Sequence, residues 1–488
     1  MGMQPRATYK GALTNLRMKR QKGQALLWFL GTLAASSGIL FAVYNSGQVI
    51  AAKQKTVNAA DAGALAGAAT QARFLNTMAY GNRAIVANEV LIVQLVSLDS
   101  WVRYMNTGAD NISKYTKLIP PPVGPYISQT FKVVQQVAQG ADVALKSLIP
   151  VVVKAEELMK TALLGKGGIP GLHDVWHAGG AAFAYDIARQ VVGHNKTDFN
   201  GRSDAAPSAP LEPLNNIAYA TLNNSTWKNL TREYAAADRS RAADIILRSR
   251  DAFSGNSGRG GNWLTNIEVP LAAKLEKSGG TRLQGFQRWE AQDAWDLYTW
   301  DWKKWEWDDK AAVGWGRANL AANQTSGSKW GNSKAQKKAY SDPAKFGGWS
   351  GIPALYDIKN KTDKDPRVPF LFYVTKAEAS TPTTKTLGVA KDLPGVLGSP
   401  NVDEKQVKNR VSALSKAEAY FIRPQRGVGD WTADAWAGGG TLLRSDSAKE
   451  YGSLYSPFWQ ARLAPTSEAE KMAAAAAAGQ VVPPKTLQ

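Results

Sequence analysis

Residues Lys22 to Ala69 decide the fold, and they read KGQALLWFLGTLAASSGILFAVYNSGQVIAAKQKTVNAADAGALAGAA. The part from Ala25 to Tyr44 holds 20 residues without a charge. At ~1.5 Å per helical residue this part spans ~30 Å, which is the thickness of the hydrocarbon core of a bilayer. The sequence therefore predicts one transmembrane helix, over about residues 25–44.

The charges around this helix predict its orientation. Residues 1–22 carry six Lys or Arg side chains and no Asp or Glu, and the next charge in the chain is Lys53. Because basic flanks stay in the cytoplasm, we expect residues 1–22 to form a cytoplasmic basic segment and the chain from about residue 50 onward to lie outside the inner membrane. This predicts a single-pass inner-membrane protein with a periplasmic bulk.

Two alternatives to an anchor remain open. The small residues Ala34 to Ser37 could be the cleavage site of a secretory signal, although the apolar run continues well past them and is long for a signal. The run could also be the core helix of a soluble domain. Its place near the amino terminus and its purely basic flank argue against that second alternative.

The second part of the quoted stretch predicts a helix with one face of small residues. These are Ala60, Gly63, Ala64, Gly67 and Ala68, at spacings of three and four that share one helix face. Small side chains allow another helix to approach closely. The face therefore favours a helix–helix assembly surface near the membrane, the alternative being an Ala-rich helix in solvent.

The stretch from Lys22 to Ala69 also resembles the N-terminal module of TadG-like Flp pilus-assembly proteins. In that family Gly-Gln opens a hydrophobic helix, and an Asn-Ala-Ala-Asp-Ala-x-Ala-Leu-Ala-Gly segment follows. The matching residues are Gly23, Gln24, Asn58, Ala59, Ala60, Asp61, Ala62, Ala64, Leu65, Ala66 and Gly67. The resemblance implies an assembly helix in which Gly23, Gln24, Asn58, Ala60, Asp61, Ala64 and Gly67 take part. It also implies a bacterial protein of the Tad secretion and pilus system, with other pilus-assembly or pilin-like proteins as partners.

Two departures from the family pattern limit what the resemblance implies. Flp prepilins carry Glu five residues after the processing glycine, and Trp28 stands at that position when counted from Gly23. We therefore do not expect processing by a prepilin peptidase. Residues Asp238 to Ala242 lack the second serine of an Asp-x-Ser-x-Ser metal site, so a von Willebrand A domain is not expected either.

The composition excludes several kinds of chemistry. The 488 residues contain no Cys and three His, which excludes disulfides, Cys-ligated metal sites and a thiol nucleophile. The formal net charge is +19, and subtracting the six charges of the basic segment leaves +13 beyond the membrane. We expect lipid of the inner membrane as a partner and attraction to anionic headgroups or anionic envelope polymers, but no nucleic acid.

The sequence predicts an α+β fold class, with an N-terminal transmembrane helix, a helical membrane-proximal region and an antiparallel-sheet C-terminal domain. Apolar residues recur at helical spacing in Met78–Met105 and Ser128–Leu164, with a break at Pro120–Pro122 and a kink expected at Pro150. Glu89 argues against a second membrane span. The predicted divisions are 1–22 (basic segment), 23–69 (Tad-like module), 70–197 (helical region, with a shorter helix near 181–192), 198–213 (linker), 214–279 (a helix at 235–253 and loops), 280–465 (Trp-rich α+β domain) and 466–488 (Ala-rich tail).

Tryptophan is concentrated in the predicted C-terminal domain. In LYTWDWKKWEWDD the aromatic residues alternate with polar ones, and the alternation changes phase at Lys303–Lys304, which indicates a tight hairpin or a bulge. Trp300, Trp302, Trp305 and Trp307 could pack in a core or form a partner surface. Further strands are predicted at Val368–Lys376, Leu387–Lys391 and Ala417–Ile422, and 451–465 is predicted to dock on this domain.

We expect no catalytic, cofactor-binding or metal site. His173 and His177 have a spacing that can bind zinc on a helix, but Asp174 stands where a zinc protease carries Glu, and His194 is the single remaining histidine. The carboxylate pairs Asp293–Asp296 and Asp308–Asp309 could serve glycoside hydrolysis only if they met in a cleft. The sequence thus predicts a non-enzymatic, membrane-anchored component of Tad pilus biogenesis. The alternative is a membrane-tethered carbohydrate-binding protein or hydrolase of the cell envelope.

Overall fold

The computed structural model describes most of the chain. The described residues are 24–116, 123–194, 223–234, 239–261, 266–360, 365–377, 381–384, 387–389, 410–423 and 450–477. The predicted basic segment 1–22 and the predicted linker 198–213 lie outside them.

One helix dominates the architecture. Helix α1 runs without interruption over Gln24–Thr116 and has 93 residues, so it is about 140 Å long. It joins the predicted transmembrane helix, the small-residue segment and the predicted Met78–Met105 helix, because no proline occurs between Gln24 and Pro120. The predicted division at residue 69 therefore falls inside one continuous helix.

Four further helices pack around α1. Helix α2 spans Val123–Leu164 and continues across Pro150, and α3 spans Leu172–His194. A short hairpin of β1 (Gly165–Lys166) and β2 (Ile169–Pro170) connects them. Helix α3 thus begins about two turns before the predicted position. Residues 223–230 form α4, and α5 spans Ser240–Ser249, which is shorter than the predicted 235–253.

The Trp-rich region forms a five-stranded sheet in the order β4-β5-β6-β7-β8. Its strands are β4 (Ile267–Val269), β5 (Ala273–Gln284), β6 (Arg288–Asp301), β7 (Glu306–Ala321) and β8 (Ala344–Phe346), with α6 (Lys334–Ser341) before β8. The pairs are antiparallel, as predicted, except that β8 runs parallel to β7. The predicted domain boundary at residue 280 falls inside β5, where Gly279 and Gly280 let the 256–259 loop lie directly on the strand.

A second, three-stranded antiparallel sheet has the order β10-β11-β12. Its strands are β10 (Arg367–Ala377), β11 (Arg410–Phe421) and β12 (Trp459–Ala464). The strand β10 includes the predicted strand Val368–Lys376, and β11 includes the predicted strand Ala417–Ile422 except for Ile422. The strand β12 lies in the segment predicted to dock. The predicted strand Leu387–Lys391 is wrong where it can be seen, because Leu387–Val389 form a turn in which Gly388 has φ +76°. Residues 390 and 391 lie outside the described residues.

Helix α1 contributes to three apolar clusters at successive levels. Near Ile92 and Val96 it packs with α2, α5 and the five-stranded sheet. Around Leu75 and Met78 it meets Trp227 of α4 and the three-stranded sheet, together with the two-stranded sheet of β3 (Thr231–Tyr234) and β9 (Leu355–Ile358). At Ala60 to Ala68 it meets β10, β11 and α3. The predicted helical region and the predicted sheet domain therefore share one helix as their common core. The chain's last described element is helix α7 (Glu468–Ala477).

Candidate functional site

The first part of α1 stands clear of the rest of the described protein. It contains an 18-residue window with mean hydropathy 1.9, of which none is buried. Leu27 and Trp28 are 71% and 77% exposed. Soluble monomers rarely expose a continuous apolar patch larger than a few hundred Å². This end of the helix is therefore long and apolar enough to cross a membrane.

Two aromatic residues lie near the ends of the exposed apolar segment. Trp28 and Tyr44 are 16 positions apart, which is about 24 Å along a helix. Aromatic rings of this kind are enriched at both interfaces of a bilayer. Besides hydropathy, this aromatic pair is a second feature of the sequence that is typical of a membrane-span candidate.

The small-residue face of α1 is buried under strands of the same chain. Ala60, Ala64 and Ala68 are at most 1% exposed. A methyl group added at Gly63 would lie 2.5 Å from the ring of Phe372, and one at Gly67 would come even closer to Phe370. The close approach predicted for this face is thus made by an aromatic sheet face and by α3. The expectation that another subunit's helix occupies it does not fit the structure, because the space is already filled.

The opposite face of α1 at the same level is open. Asn58 is exposed and accepts a hydrogen bond from Gln54 over 3.0 Å, Asp61 is half-buried, and Leu65 is 39% exposed. Positions 58, 61 and 65 share one side of a helix. The predicted assembly residues therefore divide into a buried set, Ala60, Ala64 and Gly67, and an open set. Gln24 begins α1, and Gly23 lies outside the described residues.

A polar clamp fixes the point where α1 leaves its apolar segment. Asn45, the residue after Tyr44, is completely buried. Its Nδ2 donates to the Thr384 hydroxyl over 2.8 Å, and the Thr384 backbone N–H donates back to Asn45 Oδ1 over 2.8 Å. Two turns further on, Lys53 Nζ donates to the carbonyl of Ser412 in β11. The end of the three-stranded sheet nearest the apolar segment is thus tied to the helix by specific hydrogen bonds.

The four predicted tryptophans meet at the tip of the β6–β7 hairpin. Trp300 pairs with Trp307 across the strands, with ring centroids 5.3 Å apart and planes at 80°. Trp302 and Trp305 pack edge-on against Trp300 and each other, yet they stay 58% and 70% exposed. The predicted hairpin at Lys303–Lys304 is confirmed, and the tryptophans at its tip form a partly exposed aromatic cluster instead of a closed core.

Two hydrogen bonds accepted by Asp301 close the turn at this tip. Asp301 Oδ1 accepts from the backbone N–H of Lys303 over 2.8 Å, and the Trp305 N–H donates to the Asp301 carbonyl over 2.8 Å. Trp305 has φ +56°, a conformation that a bulky residue adopts only when its surroundings hold it. The rings of Trp300 and Trp302 supply that support. This hairpin lies far from the apolar end of α1, because the preceding part of the sheet meets α1 at Tyr104 and Asn111.

A buried ionic cluster joins α1 to α2. Lys160 Nζ lies 2.9 Å from Glu89 and 2.9 Å from Glu156, and all three residues are buried. Trp349 Nε1 donates to Glu89 over 3.1 Å. Burial, followed by the neighbouring Glu89 carboxylate, raises the pKa of Glu156 to about 10, so Glu156 holds a proton at neutral pH. Glu89 is the residue from which the sequence predicted that this region does not span the membrane, and its carboxylate pairs with Lys160 in the protein interior.

The histidine pair is used for packing. His173 is buried against Trp176 and Tyr356, and burial lowers its pKa to about 4. His177 Nδ1 lies 3.0 Å from the Thr231 hydroxyl. Within the ranges that the structure describes, no group of three His, Asp or Glu side chains could hold a metal ion.

The carboxylates that the sequence offered for glycoside hydrolysis bind side chains and backbone groups that hold the fold together. Asp293 contacts Arg259, Lys277 and the hydroxyl of Ser100, and all four residues are buried. Asp296 accepts the backbone N–H of Ala335 at the start of α6 over 2.6 Å. Asp309 accepts the N–H of Lys334 in the same way. These carboxylates therefore fix the five-stranded sheet on α1 and on α6.

Comparison with known proteins adds one match, which coincides with the membrane-proximal part of α1. Neither the curated proteins nor the solved structures contain a match to this chain. Residues 23–70, comprising the free apolar end, the Asn45 clamp and the small-residue face, match the model of the Tad family of TadE/G-like Flp pilus-assembly proteins.

Proposed function

We propose that the protein is a membrane-anchored structural component of Tad (tight adherence) Flp pilus biogenesis or secretion. The observation that supports this proposal is the contrast within the Tad-matching segment. The apolar window near its amino-terminal end has no buried residue, whereas Ala60, Ala64 and Ala68 are buried in the body of the protein. One continuous helix thus connects a membrane span to a folded periplasmic body. The protein acts by holding and presenting this body, without catalytic turnover.

The open face of α1 is the proposed contact for other pilus-assembly or pilin-like proteins. Asn58, Asp61 and Leu65 belong to the Tad-matching segment and point away from the chain's own sheet. They lie about four to six helical turns beyond the Asn45 clamp, which is ~20–30 Å along α1 from the proposed membrane surface. A second membrane-anchored helix could therefore lie alongside α1 at this level, which the buried face does not allow.

Photo-crosslinking in cells tests this assignment. A photo-reactive amino acid at Leu65 should give adducts with Tad-system membrane proteins, identified by mass spectrometry. The matched control is the same amino acid at Tyr80, which is also exposed on α1, at 62%, but lies outside the family match. Alkaline carbonate extraction of the same cells should leave the full chain in the membrane. A chain that is released by carbonate, or that gives the same adducts from both positions, contradicts the proposal.

A second candidate function rests on the hairpin tip. Trp302 and Trp305 present aromatic surface to solvent, and aromatic faces of this kind can stack on sugar rings. This favours a membrane-tethered carbohydrate-binding role in the cell envelope. Co-sedimentation of the detergent-solubilised chain with purified peptidoglycan tests it. Trp302→Ala together with Trp305→Ala should abolish co-sedimentation, whereas Tyr80→Ala should leave it unchanged. Equal binding by both variants contradicts this role.

A further inference from the structure

A compact turn beside the clamp carries two exposed apolar side chains. Thr381, Thr383 and Thr384 are buried, and the turn that follows is closed by two backbone hydrogen bonds. The Leu387 N–H donates to the Thr383 carbonyl over 2.9 Å, and the Val389 N–H donates to the Thr384 carbonyl over 3.0 Å. Despite this order, Leu387 is 56% exposed and Val389 is 65% exposed. An ordered turn that exposes its two largest apolar side chains points to a surface that covers them.

The contacts of the preceding strand place this turn at the level where α1 enters the apolar segment. Phe370 of β10 packs at Gly67, and Phe372 packs at Gly63, closer to the membrane. The chain then reaches Asn45 at Thr384. Phe370, Phe372 and Thr384 therefore contact successively earlier residues of α1. Because the backbone of Val389 is hydrogen-bonded to Thr384, the turn lies beside Asn45, directly after Tyr44, the last residue of the predicted membrane span.

We propose that Leu387 and Val389 insert into the interfacial region of the same lipid bilayer that α1 crosses, and so make a second, peripheral membrane contact. This inference rests on the proposed membrane span of α1. The occupant is lipid because the turn continues the surface of that span, where Tyr44 marks the interface. The clamp between Asn45 and Thr384 fixes the turn at this depth. The body is then held to the membrane at two points and cannot swing freely about α1.

The absence of cysteine from the sequence makes a direct test possible. Single cysteines are introduced by Leu387→Cys and Val389→Cys and labelled with the environment-sensitive dye NBD in the full-length chain, reconstituted in phosphatidylcholine vesicles with or without nitroxide-bearing lipid. Leu33→Cys in the apolar segment reports on the anchor. Val269→Cys, equally exposed at 55% but in β4 at the far sheet, is the matched control. These substitutions replace exposed side chains, so they should leave the fold intact.

We expect a blue-shifted NBD emission and loss of fluorescence to nitroxide lipid at Leu33, Leu387 and Val389, with neither effect at Val269. Quenching at Leu33 without quenching at Leu387 and Val389 overturns the second contact and leaves the anchor standing. A lack of quenching at Leu33 removes the anchor, and the inference falls with it. Quenching at Val269 as well overturns a contact made by the turn.

Discussion

The fit of the three-stranded sheet on α1 leads to a quantitative prediction for Gly67→Ala. The new methyl group would lie 2.6 Å from Cδ1 of Phe370, and closer to two other ring carbons, where an ordinary contact needs 3.4–4 Å. The ring has no free space to move into, because Phe370 is fully buried and stacks at 6.5 Å on Phe372. Overpacking of this kind costs about 1–3 kcal/mol.

Gly47→Ala is the matched control for this substitution. Gly47 lies in the same helix, and a methyl group there meets no atom within 4 Å. Both substitutions gain the same ~1 kcal/mol of helix propensity, so the difference between the two variants isolates the steric cost. A difference of about 1–3 kcal/mol corresponds to roughly 5- to 150-fold faster exchange of amides that open with the sheet.

Hydrogen–deuterium exchange of the full-length protein in detergent measures this difference. Peptides covering Phe370 to Val374 should exchange faster in the Gly67 variant than in the Gly47 variant. Adding Phe370→Leu, which removes ring atoms, should restore part of the protection as a coupling of at least about 0.5 kcal/mol. Identical exchange in the two alanine variants would show that β10 does not pack closely on this face, and the account of the small-residue face would fail.

Three further outcomes follow from the structure. Trp289→Ala should lower the free energy of unfolding by about 3–5 kcal/mol, because Trp289 is fully buried. Trp302→Ala, at the exposed tip of the hairpin, should lower it far less. Equal losses of stability for the two variants in thermal denaturation contradict this difference in burial. In the folded protein the raised pKa lets Glu156 keep its proton, whereas in the unfolded chain Glu156 loses it at the ordinary pKa of a glutamic acid. The contribution of Glu156 to the free energy of unfolding therefore falls as the pH rises from about 5 to 9, and the stability of Glu156→Gln relative to the unsubstituted protein, measured by urea titration, should rise over that range. A stability difference that does not change with pH contradicts the raised pKa. Asn45→Ala should raise amide exchange at Thr384, because it removes two hydrogen bonds worth about 1 kcal/mol each; unchanged exchange contradicts the clamp.

Much of the local structure could be predicted from short-range pattern. The phase change of alternation at Lys303–Lys304 reports the β6–β7 hairpin, since side chains of a strand alternate in direction. The uncharged run of residues 25–44 is visible as a membrane-span candidate from length and hydropathy alone. The resemblance to TadG-like proteins agrees with the family match over residues 23–70.

The missed features depend on residues that are distant in sequence. The small residues Gly63 and Gly67 predict that another element packs closely on α1. They do not predict which element it is, and the structure shows the aromatic strand β10, some 300 positions later in the sequence. Leu387 and Val389 alternate as in a strand, yet Gly388 adopts the left-handed conformation and closes a turn. The Ser278-Gly279-Gly280 sequence is typical of a loop, and it is in β5 because a neighbouring loop needs the space of the missing side chains.

The unbroken length of α1 has a mechanical consequence. From Tyr44 to Asn111 the helix rises about 100 Å, and the Trp-bearing hairpin is fixed beyond that distance by contacts to Tyr104 and Asn111. A tilt of 10° at the lipid level would sweep the hairpin sideways through about 17 Å, if the helix moves as a stiff rod of that rise. If the protein acts in pilus assembly as proposed, a small tilt imposed on α1 near the bilayer therefore becomes a large displacement at the distal end of the molecule.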